Sequence, residues 1–109
     1  MTKASDMKQI GVPIELDKTR HLVFDLNAFC DLEERYDDVF TAMNKISNKP
    51  KFSDIRFILY VALRQEDEKL TEKKVGKLIT LKNVNEVVNA ITEAINEAMP
   101  EADEEEEKN

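Results

Sequence analysis

The sequence predicts a mainly α-helical domain that opens with a short β-hairpin, an α+β arrangement of four to five helices. Three observations carry this expectation. Between Val12 and Tyr36, in VPIELDKTRHLVFDLNAFCDLEERY, apolar residues alternate as far as Asp25 and then recur at helical spacing. Residues 53–65 are apolar nearly all round a helix. Residues 84–99 repeat Val84, Val87, Val88, Ile91, Ile95 and Met99 along one helical face.

Each element has a local reason. Residues 1–10 are polar and irregular and are expected to be disordered. Val12, Ile14 and Leu16 alternate with Pro13 and Glu15, and Pro13 cannot donate to a ladder, so an edge strand is expected. Asp17-Lys18-Thr19-Arg20 reads as the turn, and Leu22, Phe24 and Leu26 as one face of a second strand. Asp25 or Asn27 can cap the first helix, with Phe29, Leu32 and Tyr36 on its inner side. After a break at Asp37-Asp38 the pattern resumes through Val39, Phe40, Met43 and Ile46. Ser47-Asn48-Lys49-Pro50-Lys51 is a loop, and Ser53 is expected to cap the apolar helix from Asp54 to about Gln65. Thr71 caps a short helix with Leu70 stapled onto Val75, and Gly76 inside it signals close packing. Asn83 with Glu86 resembles a capping box for the last helix, which Pro100 ends. A single domain over residues 11–100 is expected, followed by a disordered acidic tail at 101–109.

The net charge of −7 over 109 residues has an uneven origin. The segment EADEEEEKN, with Glu104, Glu105, Glu106 and Glu107 at its centre, supplies −5 and leaves −2 for the other 100 residues. Such a run is a solubilising tail or an electrostatic guard that repels nucleic acid or engages a basic partner. The single cysteine, Cys30, rules out an internal disulfide and fits a reducing cytoplasm. The start lacks the apolar core of a signal peptide and the run Phe57–Leu63 is far too short to span a bilayer, so no membrane association is expected.

Candidate chemistry is sparse. His21 has no neighbouring cysteine to build a metal site, and it reads as a structural or surface residue. Cys30 has no base beside it and reads as a small buried hydrophobe. Glu66-Asp67-Glu68 and Asp37-Asp38 lack the oxygen spacing and glycine of a calcium loop and read as solvated helix ends. With two glycines, no loop cradles a phosphate, and Lys49, Lys51, Arg56 and Arg64 are interleaved with acids, so no nucleic-acid stripe is expected. No catalytic, metal or cofactor role is expected.

Four segments in order carry a resemblance: residues 12–36; SDIRFILYVALRQED, 53–67; LTEKKVGKLI, 70–79; and NVNEVVNAITEAINEAM, 83–99. Together they resemble the tail assembly chaperones of long-tailed bacteriophages, prophages and gene transfer agents. The most specific pieces are Asp25-Leu26-Asn27-Ala28 with Leu32-Glu33-Glu34, and Leu70-Thr71 with Val75-Gly76. Tyr60 and Ala62 stand where many members carry a tryptophan or glycine. The resemblance implies a non-enzymatic protein of the bacterial host cytoplasm, not expected in the mature virion. It would bind the tape measure protein, keep its apolar helices soluble and help recruit the tail tube protein. Phe57, Tyr60, Val61, Ile91 and Ile95 are the candidate groove residues for such a client, unless they simply fill the core.

Such genes often yield a longer product by frameshifting. Glu107-Lys108-Asn109 can be encoded GAA-AAA-AAC, which contains a slippery heptamer. A frameshifted longer form is therefore a further expected partner, which the nucleotide sequence across those codons tests. Two other function classes fit the composition: a small acidic inhibitor, DNA mimic or adaptor, and a structural tail subunit. An inhibitor should lose binding when 101–109 is deleted, and a structural subunit should remain in purified particles.

Overall fold

The change of period near Asp25 is the point where a hairpin hands the chain to a helical body. In the computed structural model, which describes residues 11–99, β1 spans Val12–Glu15 and β2 spans Thr19–Leu22. They pair antiparallel, with Val12 opposite Leu22 and Ile14 opposite Arg20, and these four side chains form the buried face. Gly11 precedes β1 at φ +83°, where an added Cβ would lie 2.5 Å from the Leu22 carbonyl oxygen, so a side chain there is excluded twice over. The Val23 N–H donates to the Ala62 carbonyl at 3.2 Å and fastens the hairpin to the central helix.

The second strand ends earlier than its alternation suggests. Phe24 stays buried at 2% exposure, but Leu26, expected on the same face, is 76% exposed as the first residue of α1, Leu26–Tyr36. The Asp25 side chain accepts from the Ala28 N–H at 2.9 Å and starts the helix there. That switch turns Leu26 away from the inner face formed by Ala28, Leu32 and Tyr36. Asp37, at φ +76°, breaks the chain after α1. Asp38 then caps α2, Val39–Ser47, by accepting from the Thr41 N–H at 2.7 Å, and this contact holds its carboxyl below the usual range.

α3, Phe52–Arg64, is the axle of the domain: β2, α1, α2, α4 and α5 all pack on it. Its apolar composition follows, because Ile55, Phe57, Ile58, Leu59, Val61, Ala62 and Leu63 are all buried. Full burial of each large aliphatic side chain contributes about 1.5–3 kcal/mol. The helix begins one residue ahead of Ser53, which lies exposed in its first turn; Lys51 flanks the start and supplies no side-chain cap. α4, Glu72–Gly76, is capped by Thr71, whose hydroxyl accepts from the Lys74 N–H at 3.1 Å, and it buries Val75. α5, Val84–Ala98, buries Val87, Ala90, Ile91, Ala94 and Ile95 along one face. Asn83 does not form the expected capping box; its amide is used to brace the preceding loop. No helix among the described residues is long and apolar enough to cross a membrane. Residues 1–10 and 100–109, including Pro100 and Glu104–Glu107, lie outside the described range.

Candidate partner-docking surface

Charge and apolar surface meet at two ends of the molecule, with opposite outcomes. At the hairpin end, Arg20 is buried, with 7% of the residue exposed. Its guanidinium donates to both Asp17 carboxylate oxygens, at 2.7 and 2.9 Å, and to Asp67 at 3.2 Å. These bonds pull the Asp17 carboxyl down to about 2, hold Asp67 below its ordinary value, and raise Arg20. Glu66 accepts the His21 backbone N–H at 3.1 Å and sits 3.0 Å from its ring Nδ1. The acids after α3 are therefore not plain solvated ends. Glu66 and Asp67 staple the hairpin to the body, and Arg20 is buried with three of its five N–H donors engaged by Asp17 and Asp67.

Cys30 is exposed rather than buried. The inner face of α1 is set by positions 28, 32 and 36, and position 30 falls off it. It stands in a polar setting with Asp31 and Arg64, which pair at 3.3 Å. Among the described residues, no group of three His, Cys, Asp or Glu side chains is placed to hold a metal ion.

Most of the expected groove residues belong to the core. Val61, Ile91 and Ile95 are essentially inaccessible, and Phe57 is 9% exposed. Phe57 meets the Tyr36 ring edge-on at 6.0 Å and lies under the Arg35 guanidinium at 3.8 Å. Tyr60 alone is half-exposed, and Arg64 lies 5.3 Å from its ring. The reason is the central position of α3, on which β2, α1, α2, α4 and α5 pack, and the inner face of α5 that carries Ile91 and Ile95. Tyr36 is buried as well; its hydroxyl donates to Asp54 at 2.7 Å, and burial together with that carboxylate raises its pKa.

Four large apolar side chains are exposed among the described residues, Leu26, Phe40, Phe52 and Leu81, and the last two share a cleft where the N-termini of α3 and α5 meet the end of α4. The cleft, of about 460 Å³, is floored by Ile55, Ile79 and Val84. Phe52 and Leu81 wall it while remaining 67% and 79% exposed. Gly76 lets α4 approach Arg56: a Cβ there would lie 3.1 Å from Arg56 Cδ. The close packing that a mid-helix glycine suggests is present, and it shapes this wall.

The loop that carries Leu81 is internally fastened. The Asn83 amide accepts from the Thr80 N–H at 2.8 Å and donates to the Leu78 carbonyl at 3.0 Å. The Thr80 hydroxyl accepts from the backbone N–H of Lys82 at 3.2 Å and of Asn83 at 3.3 Å. Leu81 is thus held outward by a built turn. Arg56 lines the cleft, and exposed Lys51, Lys77 and Lys82 directly adjoin lining residues in the chain. None of these four cations forms an ion pair among the described residues; that holds for every described lysine, whereas Arg56 differs from Arg20, Arg35 and Arg64, which are all paired. Sequence reasoning passed over Phe52 and Leu81 because both stand outside the periodic helical stripes. An apolar residue stranded between Lys51 and Ser53, or between Thr80 and Lys82, is the signal that marks them. Comparison with known protein families, curated proteins and solved structures finds no match for this chain.

Proposed function

We propose that this protein is a tail assembly chaperone of a long-tailed phage or prophage. It acts in the host cytoplasm, binds the tape measure protein, keeps that client's apolar helices soluble, helps recruit tail tube subunits, and leaves before the virion is complete. The observation that carries the reading is the order of the four segments across 12–99, together with a helical domain that leaves Phe52 and Leu81 uncovered beside a cleft. A client-holding protein needs such a surface, because an apolar helix must find apolar contacts outside water. The charged composition, 36% of residues, would keep the complex dispersed.

Co-expression with the tape measure protein encoded nearby tests the reading. The expected result is a soluble complex that contains both chains, with this protein missing from purified particles. A client that stays insoluble with no recoverable complex overturns it. Recovery of this protein as a stoichiometric part of particles makes it a structural subunit instead.

A further inference from the structure

We infer that the Phe52–Leu81 cleft docks an apolar helix whose anchoring side chains are flanked by acidic residues, presented by a separate polypeptide. The inference deepens the chaperone reading and rests on it for which protein supplies the helix; the chemistry of the occupant is argued from the cleft itself.

The floor of Ile55, Ile79 and Val84 excludes a purely polar occupant, since filling it with unpaired polar groups would cost more than leaving it wet. A strand has no hydrogen-bonding rail there, because the cleft is bounded by helix ends and their connecting loop, while the one sheet among the described residues is the hairpin formed by residues 12–22. A helix satisfies its own backbone and needs only side-chain anchors. The rim sets the charge. Arg56 lines the cleft, and Lys51, Lys77 and Lys82 adjoin its lining residues in the chain, all four without an ion pair among the described residues; of the acids nearest the lining, Asp54 accepts from the Tyr36 hydroxyl and Glu86 lies in the first turn of α5, so cations outnumber acids there. Acidic flanks on the incoming helix complete those pairs and speed encounter.

Two other occupants fit worse. A second copy docked face to face would set the same four cations against each other, because a two-fold interface repeats one patch on both sides. The chain's own acidic segment offers charge, but Ala102 is the sole apolar residue in 101–109, so it cannot fill the floor.

The test uses the full chain and two labelled synthetic helices that share one apolar stripe, one flanked by glutamates and one by lysines. Binding is followed by fluorescence anisotropy at low and high salt. The glutamate helix is expected to bind about tenfold tighter at low salt, with the gap closing as salt screens the rim. Leu81→Ala and Phe52→Ala should each weaken it by about tenfold, and Lys77→Glu with Lys82→Glu should reverse the preference. Equal affinity for both helices, or indifference to Leu81→Ala, overturns the inference. So does tight binding that appears only after residues 101–109 are deleted, which would make that segment the occupant. Self-association abolished by Leu81→Ala would overturn it in favour of a second copy. Peptide binding without any effect on the tape measure protein leaves the cleft assignment standing and defeats the chaperone reading; rescue of that protein by Leu81→Ala does the reverse.

Discussion

The hairpin end and the cleft end of this domain are built from the same materials. Each has large apolar side chains beside arginine or lysine. At the hairpin end Leu22 and Phe24 are sealed, and Arg20 is shared between Asp17 and Asp67. At the cleft end Phe52 and Leu81 stand in solvent, and Arg56 and its lysine neighbours form no ion pair among the described residues. The difference separates residues that hold the fold from candidates for recognition. Where charge is satisfied and apolar surface is covered, the residues hold the fold. Where both are left open on a fastened loop, the residues are the candidates for recognition.

The comparison breaks most violently at Phe24. Its ring is 2% exposed and stacks on Phe29 with centroids 6.0 Å apart. Phe24→Asp removes roughly 3–5 kcal/mol of packing and forces an unpaired carboxylate into the core. Against a total stability of about 5–15 kcal/mol for a domain of this kind, the expected outcome is loss of the cooperative thermal transition in circular dichroism. A variant that melts cooperatively near the parent temperature would mean that the hairpin's inner face is not the one described.

How much of this was legible beforehand depends on distance along the chain. The caps at Asp25 and Thr71 act over three residues, and so does the helical stripe of α5; such signals survive in a sequence, although the equally local cap at Asp38 was read only as a break and a solvated end. The apolar run of α3 announced a central helix, but its residues read equally as a groove until the surrounding elements were in place. The Arg20–Asp67 bond joins residues 47 apart, and nothing local at either one points to the other. Asn83 looked like a helix cap because an asparagine three residues before a glutamate often is one; here the amide finds Thr80 and Leu78 first. Phe52 and Leu81 escaped for a related reason. Periodicity finds residues that face a core, and a docking surface is made from those that do not.

A smaller effect is expected at the clamp, and it sharpens the contrast through pH. Arg20→Met removes the cation yet leaves Asp17 and Asp67 able to reach water, so the cost should be about 1–3 kcal/mol at neutral pH. Both carboxyls sit below their ordinary value in the folded state, Asp17 at about 2, so the unfolded chain binds more protons as acid is added. Their contribution is therefore complete above the unfolded carboxylate value of about 4 and fades as pH falls toward about 2. Urea midpoints measured across that window should drop steeply in the parent and more gently in Arg20→Met. Parallel curves would place the acid sensitivity elsewhere.

The smallest effect on stability should come from Leu81→Ala, read against the same substitution at the sealed end. Leu22→Ala removes a side chain that is 1% exposed, and a buried leucine truncated to alanine costs about 2–5 kcal/mol. Leu81→Ala removes one that is 79% exposed, where exposed substitutions stay within about 0.5 kcal/mol. For a domain of this size the first should lower the melting temperature by about 10 °C or more and the second by no more than a few degrees. The turn should persist without the leucine, because Thr80 and Asn83 fasten it through their own side chains and the backbone. A Leu81→Ala melt shifted as far as that of Leu22→Ala would show that the cleft wall helps hold the fold, and the distinction between a sealed end and an open one would collapse. An unshifted melt leaves Leu81 without a structural task, and a leucine held in water by four hydrogen bonds is then best explained by what it meets there.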